Sequence, residues 1–193
     1  MLTIEKQILI LASASPRRQE LLQQAGIPFE TRPAHIPEVR FPGEPAADYA
    51  KRLSREKALT VAQSFAGRFV LGADTIVVVD ETVLEKPLDH NDAARMLRLL
   101  SGRGHNVITG VSLVTPDKTI DTRLCTTKVF FHNLMEQEIQ SYVASHEPMD
   151  KAGAYAIQGG AASFADYMDG EYSNVVGLPL LLVAEMLQAN QFM

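Results

Sequence analysis

Cysteine is almost missing from this 193-residue chain: Cys125 is its only one. A single thiol excludes an intrachain disulfide framework and cysteine-rich zinc sites. It fits a reducing compartment, and a cytoplasmic location is expected. Long apolar runs are missing as well. No stretch approaches the roughly 18 uninterrupted apolar residues of a membrane span. The run Ile8–Ala12, preceded by Lys6, is too short for the core of a secretory leader and ends in a helix-start signal. No membrane association is expected. Basic residues are not in excess: 18 Lys and Arg stand against 23 Asp and Glu, a net charge of −5. Such a surface repels a phosphate backbone, so a nucleic-acid polymer is not an expected partner. Neither GxxxxGK[ST], GxGxxG nor GxSxG occurs, which disfavours Walker-type, dinucleotide and serine-hydrolase sites. Histidines 35, 90, 105, 132 and 146 show no metal-ligand spacing.

What is present is ordinary globular composition, with 46% hydrophobic and 21% charged residues, enough to bury a core without staples. No repeat, low-complexity tract or linker divides the chain, so a single domain over 1–193 is expected. The charge is uneven. Residues 1–57 carry 9 basic and 7 acidic side chains, leaving 9 against 16 in the remainder.

The β-branched run Gln7–Ala12 reads as a buried strand. Ser15 is a fitting N-cap and Pro16 a fitting first residue for a helix ending at Gly26, with Leu21, Leu22 and Ala25 as its buried stripe. A strand over 28–34, a Pro-rich loop over 35–45 and a helix over 46–66 carrying Tyr49, Leu53, Ala58 and Val61 follow. Phe69–Asp80 is nearly continuous apolar sequence, a central strand leading into a short hairpin through Lys86. Pro87 and Asn91 precede a helix over 92–101. Strands over 105–116 and 119–132 flank Pro116-Asp117, a hairpin signal. Met135, Ile139, Tyr142 and Val143 mark another helix. A Gly-rich irregular stretch over 148–161, a strand near 162–168 and a final helix near 178–190 complete the chain. Strands and helices without strict βαβ alternation imply an α/β fold, a mixed sheet flanked by helices in one domain or two fused lobes.

Arg17 and Arg18 sit in the first turn of a helix, where the helix dipole disfavours cations. With the Ser13 and Ser15 hydroxyls beside them, they make sense if an anion such as a phosphate chain binds there. A capped surface helix with solvated arginines is the alternative. Asp74 interrupts an apolar strand, and a buried carboxylate must be paired, hydrogen-bonded or metal-bound. At a strand end it suits a metal ligand or general base, or else it caps a turn. The hairpin can return Lys86 towards Asp74, although an isolated Lys86 reads as a solvated lysine. Glu38 in the loop and Lys57 on the helix have bland readings too, solvation and i,i+4 pairing respectively. Gln158 lies among small residues that admit a ligand, and its amide can read the edge of a base.

Taken together, Leu11-Ala-Ser-Ala-Ser-Pro-Arg-Arg18, Arg55-Glu-Lys-Ala58, Gly72-Ala-Asp-Thr75, Lys86-Pro87, Ser101-Gly-Arg103 with His105 and Thr109-Gly110, and Asn174-Val-Val-Gly-Leu-Pro179 resemble the Maf family of nucleoside triphosphate pyrophosphatases. Six short motifs in the family's order cover almost the whole chain. Asp150-Lys-Ala-Gly-Ala-Tyr-Ala-Ile-Gln-Gly159 is similar to the subgroup acting on dTTP and UTP, with Ala156 standing where that subgroup has glycine.

The resemblance implies a mixed twisted sheet flanked by helices in two closely fused lobes with a cleft between them, as in Maf and ITPase-like proteins. It implies hydrolysis of dTTP and UTP to the monophosphate and pyrophosphate, with modified pyrimidine nucleotides as an open extension. Asp74 would accept the proton, and Lys86 would neutralise charge at the reacting phosphate. Ser13, Arg17 and Lys57 would hold the triphosphate, and Arg18, Thr75 and Gln158 would set substrate preference. Glu38 and Asp74 are the implied ligands of a divalent cation, Mg²⁺ or Mn²⁺. Nucleotide-pool cleaning and cell-division arrest are both open as roles. A non-catalytic nucleotide-binding regulator of septum formation is the competing reading. A homodimer is one assembly open to the chain, whose sequence does not fix an oligomeric state.

Overall fold

A computed structural model describes residues 7–192; Lys6 lies outside the described residues. The elements run β1 (Leu9–Leu11), α1 (Pro16–Gln24), β2 (Phe29–Thr31), α2 (Ala46–Ala62), β3 (Val70–Val79), β4 (Thr82–Leu84), α3 (His90–Leu100), β5 (Gly104–Val114), β6 (Ile120–Phe131), α4 (Glu136–Ala144), β7 (Ala165–Asp169), α5 (Tyr172–Val176) and α6 (Leu180–Ala189). Three single 3₁₀ turns, Glu147–Asp150, Ala152–Ala154 and Gly160–Phe164, fill the Gly-rich stretch between α4 and β7. The seven strands form one mixed sheet in the order β2-β1-β3-β5-β6-β7, with β4 paired to β3. The expected α/β class with a mixed sheet and flanking helices is therefore observed.

The chain divides into two compact units. The first comprises Met1–Asp74, Thr109–Cys125 and Gly177–Met193, and the second Thr75–Ile108 and Thr126–Val176. In the first unit β1 is parallel to both neighbours, with Leu9 level with Phe29 and Leu11 level with Leu71. Its core gathers Ile10, Ala12, Ala58, Val61, Val70 and Val114, all buried. These apolar positions come from three strands, β1, β3 and β5, and one stripe of α2, the pattern that alternation and 3.6-residue spacing dictate. In the second unit an aromatic cluster forms the core. Phe131 packs edge-on against His105, Tyr155 and Phe164 with ring centroids 4.9, 4.9 and 5.9 Å away.

Several boundaries differ from the sequence reading for local reasons. Ser15 occupies the N-cap of α1 but makes no side-chain capping bond; its N–H instead donates to Ser13 Oγ at 3.1 Å. Ala25, expected in the buried stripe, is exposed, and only Leu21 and Leu22 of α1 are buried. α2 stops at Ala62, short of the expected end. Asn91 lies inside α3, because Asp89 is the cap and accepts from the Asp92 N–H at 2.8 Å. Met135 is the exposed N-cap of α4 and does not belong to its buried face. The short α5 was not anticipated. Among the described residues, no helix is long and apolar enough to cross a membrane.

Candidate active site

The order β2-β1-β3 fixes where a ligand site can form within the first unit. The chain leaves β1 towards β2 and returns past it to β3, so the carboxyl end of β1 beside β3 is a topological switch point. Ala12 N–H donates to Leu71 O at 2.8 Å, holding the two strands in step there. Beyond that bond, the loop Ala12–Ser15 rises from β1 while β3 continues through Gly72, Ala73 and Asp74.

Gly72 controls what approaches Asp74. A Cβ on Gly72 would meet Ala58 N at 2.7 Å and Ala58 Cβ at 2.9 Å, with Ser54 O closer still. The bare glycine therefore lets the backbone of α2 lie against β3. Gly110 does the same on β5, where a Cβ would come 2.9 Å from Lys51 N. Buried hydroxyls tie the contact further, with Ser54 Oγ 2.9 Å from Ser112 Oγ and that oxygen 2.9 Å from Thr122 Oγ1. Gly72 and Asp74 are two residues apart in a strand, so they share a face. The helix that closes on Gly72 thus delivers the next side chain, Lys57, to Asp74.

Lys57 Nζ lies 2.7 Å from Asp74 Oδ1 and 2.6 Å from Glu38 Oε1. Lys57 and Asp74 are buried, while the Glu38 side chain is 45% exposed and forms the open side of the trio. The i,i+4 reading of Lys57 is thereby replaced: the helical i,i+4 pair is Arg52 with Glu56 at 3.2 Å. Burial raises the pKa of Asp74 above the ordinary carboxylate range, against the pull of Lys57 and Arg18, and Glu38 pushes the same way as burial. Arg18 completes the cluster. Its Nε donates to Gly177 O at 2.8 Å and its Nη1 to Ser13 Oγ at 3.3 Å. Burial lowers its pKa, opposed by the carboxylates of Asp74 and Glu38. Arg17 is half-buried on the same turn of α1.

The loop carrying Glu38 is held by Tyr49, which the sequence marked only as a helix residue, and by Arg52, which it did not single out. Tyr49 Oη donates to Glu38 O at 3.2 Å, and Arg52 Nη2 donates to Val39 O at 2.9 Å. Arg52 also forks onto Glu44 at 2.7 and 2.8 Å and lies over the Phe41 ring, 3.9 Å from its centroid. Tyr49 and Arg52 are three apart on α2, one face of a helix, which is the signal that would have found them.

Thr75, Lys86 and Gln158 belong to the second unit. β4 returns antiparallel to β3 with Val77 opposite Leu84 and Val79 opposite Thr82. β4 ends at Leu84, and Lys86 lies two residues further on, in the bend that follows the strand. Gly153 N–H donates to Glu85 O at 3.1 Å, tying the segment that contains Gln158 to the same hairpin. Lys86 and Gln158 are both exposed. The buried amide of Asn174 donates to Val107 O and Thr127 Oγ1, each at 3.0 Å, a structural tie within the second unit.

Among the described residues, no three His, Cys, Asp or Glu side chains converge as a self-sufficient metal site. The donor set does fit a divalent ion of the kind that binds one or two carboxylates together with phosphate oxygens and water. Glu38 and Asp74 reach a common cationic position, the Lys57 ammonium, from two sides.

Known proteins resemble this chain over nearly its full length. A chain named dTTP/UTP pyrophosphatase from Geobacter metallireducens is 53% identical over 187 residues, 95% of this chain and 96% of its own. One of the same name from Geobacter sulfurreducens is 53% identical over 188 residues, 96% of this chain and 97% of its own. The solved structure of a HAM1 protein from Coxiella burnetii aligns over 95% of this chain and 99% of its own with a TM-score of 0.50. At 14% identity that likeness concerns the fold alone. The model of Maf-like proteins matches residues 8–190, and with relatives this similar over nearly their full length, the chain belongs to the Maf family.

Proposed function

We propose that this chain is a nucleoside triphosphate pyrophosphatase that hydrolyses dTTP and UTP to the monophosphate and pyrophosphate, acting as one Maf-like domain over residues 1–193. The observation that carries this reading is the charge cluster at the switch point, where Lys57 is gripped by Glu38 and Asp74, and Arg18 faces both carboxylates. Cleaving a phosphoanhydride asks a protein mainly for positioning and charge stabilisation. This cluster supplies both, and the relatives' names point to the same chemistry.

In this reading Arg17, Arg18 and Lys57 take up the negative charge of the triphosphate, and the Ser13 hydroxyl donates to a phosphate oxygen. Asp74 orients a water and accepts its proton as the water oxygen bonds to phosphorus and the bridging oxygen departs with pyrophosphate. Lys86 neutralises charge on the reacting phosphate, and Thr75 and Gln158, with Arg18, choose the base. Glu38 and Asp74 would hold a Mg²⁺ or Mn²⁺ ion, which supplies charge neutralisation on the phosphates and eases deprotonation of water. The reaction belongs in the cytoplasm, where its substrates are.

Asp74→Asn tests the assignment. Pyrophosphate release from UTP and dTTP should fall by a factor on the order of 10² to 10³ or more, while circular dichroism stays that of the parent. Release at the parental rate in a folded D74N would refute the role of Asp74. A parent chain that releases no pyrophosphate from either nucleotide with Mg²⁺ or Mn²⁺ would refute the activity itself.

A further inference from the structure

Away from the switch-point cluster, two histidines of the second unit meet on the surface. His90 opens α3, and His146 is the left-handed residue, φ 63°, that joins α4 to the first 3₁₀ turn. His90 Nε2 lies 3.0 Å from His146 Nδ1, and the ring centroids are 4.6 Å apart with the planes at 60°. Both residues are exposed.

These two distances rule out a head-on contact between the ring nitrogens. An imidazole nitrogen lies about 1.1 Å from its ring centre, so a head-on N–H···N bond would set the centroids roughly 5 Å apart or more. The observed centroids are closer than that. For a symmetric pair, the ratio of 4.6 to 3.0 Å is the one produced when both ring axes converge on a point about 2.1 Å beyond each nitrogen. That is the length of an imidazole–metal bond. The axes then meet at about 90°, the angle between neighbouring ligands of a square-planar or octahedral ion rather than of a tetrahedral one. The same aim makes a poor hydrogen bond, because each N–H would point well off the N···N line, near the ~120° limit where such bonds weaken. An angle of 60° between the planes is no obstacle, since each ring can turn about its own nitrogen–metal axis.

We propose that His90 and His146 form a surface chelate for a late first-row divalent ion that prefers nitrogen ligands and right-angle geometry, Ni²⁺ or Cu²⁺. Each ring binds through the nitrogen that now faces its neighbour and keeps its proton on the other nitrogen. Water completes the coordination. The ion clips the first turn of α3 to the chain leaving α4, two segments 56 residues apart. Mg²⁺ is excluded by its preference for oxygen ligands, so this site and a carboxylate–phosphate site would not compete for one metal.

The test uses the full chain with no affinity tag, without nucleotide and with excess Mg²⁺ to occupy oxygen-rich positions. Titration calorimetry with Ni²⁺ should show one ion bound per chain, and thermal unfolding should shift upward as Ni²⁺ is added. His90→Gln and His146→Asn each remove one ligand and should weaken binding by roughly tenfold or more. Asn tolerates the left-handed backbone at residue 146, so that variant should fold. Binding of equal strength in both folded variants would overturn the proposal, as would the absence of any Ni²⁺ binding or unfolding shift in the parent chain. None of these readouts depends on nucleotide turnover, so they stand or fall separately from the proposed hydrolysis.

Discussion

Replacing Gly72 by alanine would test the link between packing and chemistry directly. The new methyl would lie 2.7 Å from Ala58 N and 2.9 Å from Ala58 Cβ, and closer to Ser54 O, where ordinary contact begins at 3.4 Å. Backbone atoms of a helix cannot swing aside, so α2 must retreat by about 1 Å or β3 must bend, a kind of overpacking that costs about 1–3 kcal/mol. In a protein of this size that lowers the melting temperature by about 2–4 °C per kcal/mol. The same displacement draws Lys57 away from Asp74, and a misplacement of about 1 Å in such a site can cost on the order of 10² in rate. Thermal unfolding and pyrophosphate release from UTP, measured on one preparation, read the two effects. Gly110→Ala serves as the comparison: its Cβ would press on the same helix at Ala50 and Lys51, nearly two turns before Lys57. It should destabilise to a similar degree and slow the reaction less. A G72A protein as stable as the parent would refute the packing argument. A destabilised G72A with full activity would refute the claim that α2 aims Lys57.

Other perturbations have equally definite outcomes. Arg52→Ala should release the Glu38 loop without touching the cluster itself, raising the Mg²⁺ concentration needed for half-maximal activity by roughly tenfold; an unchanged metal requirement would count against it. Gln158→Ala should alter the relative rates on UTP, dTTP, CTP and GTP more than the maximal rate, and an unchanged ranking would argue that the amide does not read the base. His105 is buried, its Nε2 2.8 Å from Tyr155 Oη, and burial pushes its pKa from 6.5 down to about 4. The unfolded chain therefore binds a proton between those values that the fold rejects, so stability is complete above pH 6.5, falls by about 3 kcal/mol as pH drops to 4, and levels off below. Urea midpoints across that range should show the decline, and His105→Gln should flatten it.

Some residues of this site were legible in the sequence and some were not, and physics separates the two groups. Asp74 stood out because a lone carboxylate inside an apolar strand must be compensated, whatever the fold. Which residue compensates it could not be read. Lys57 is seventeen positions away, with neighbouring charges on its own helix that offer a cheaper explanation, and only the closeness of α2 to β3 decides between them. Glu38 was equally ambiguous, because a carboxylate in a Pro-rich loop looks solvated until something fixes the loop. Tyr49 and Arg52 fix it, and they were visible only as helix residues. The element pattern came through well where periodicity is long, as in α2, β3 and the β5–β6 hairpin, and poorly at ends, where Ser15, Asn91 and Met135 depended on which donor found which acceptor. The His90–His146 pair leaves no trace in spacing at all, since 56 residues of intervening fold bring it together. Yet the decisive packing contact did leave a mark. A glycine interior to a strand weakens it unless something must come close, and Gly72 stands one pleat from the acid. When a strand carries a glycine two residues before a buried carboxylate, the helix that needs the glycine's space is the first place to look for that carboxylate's partner.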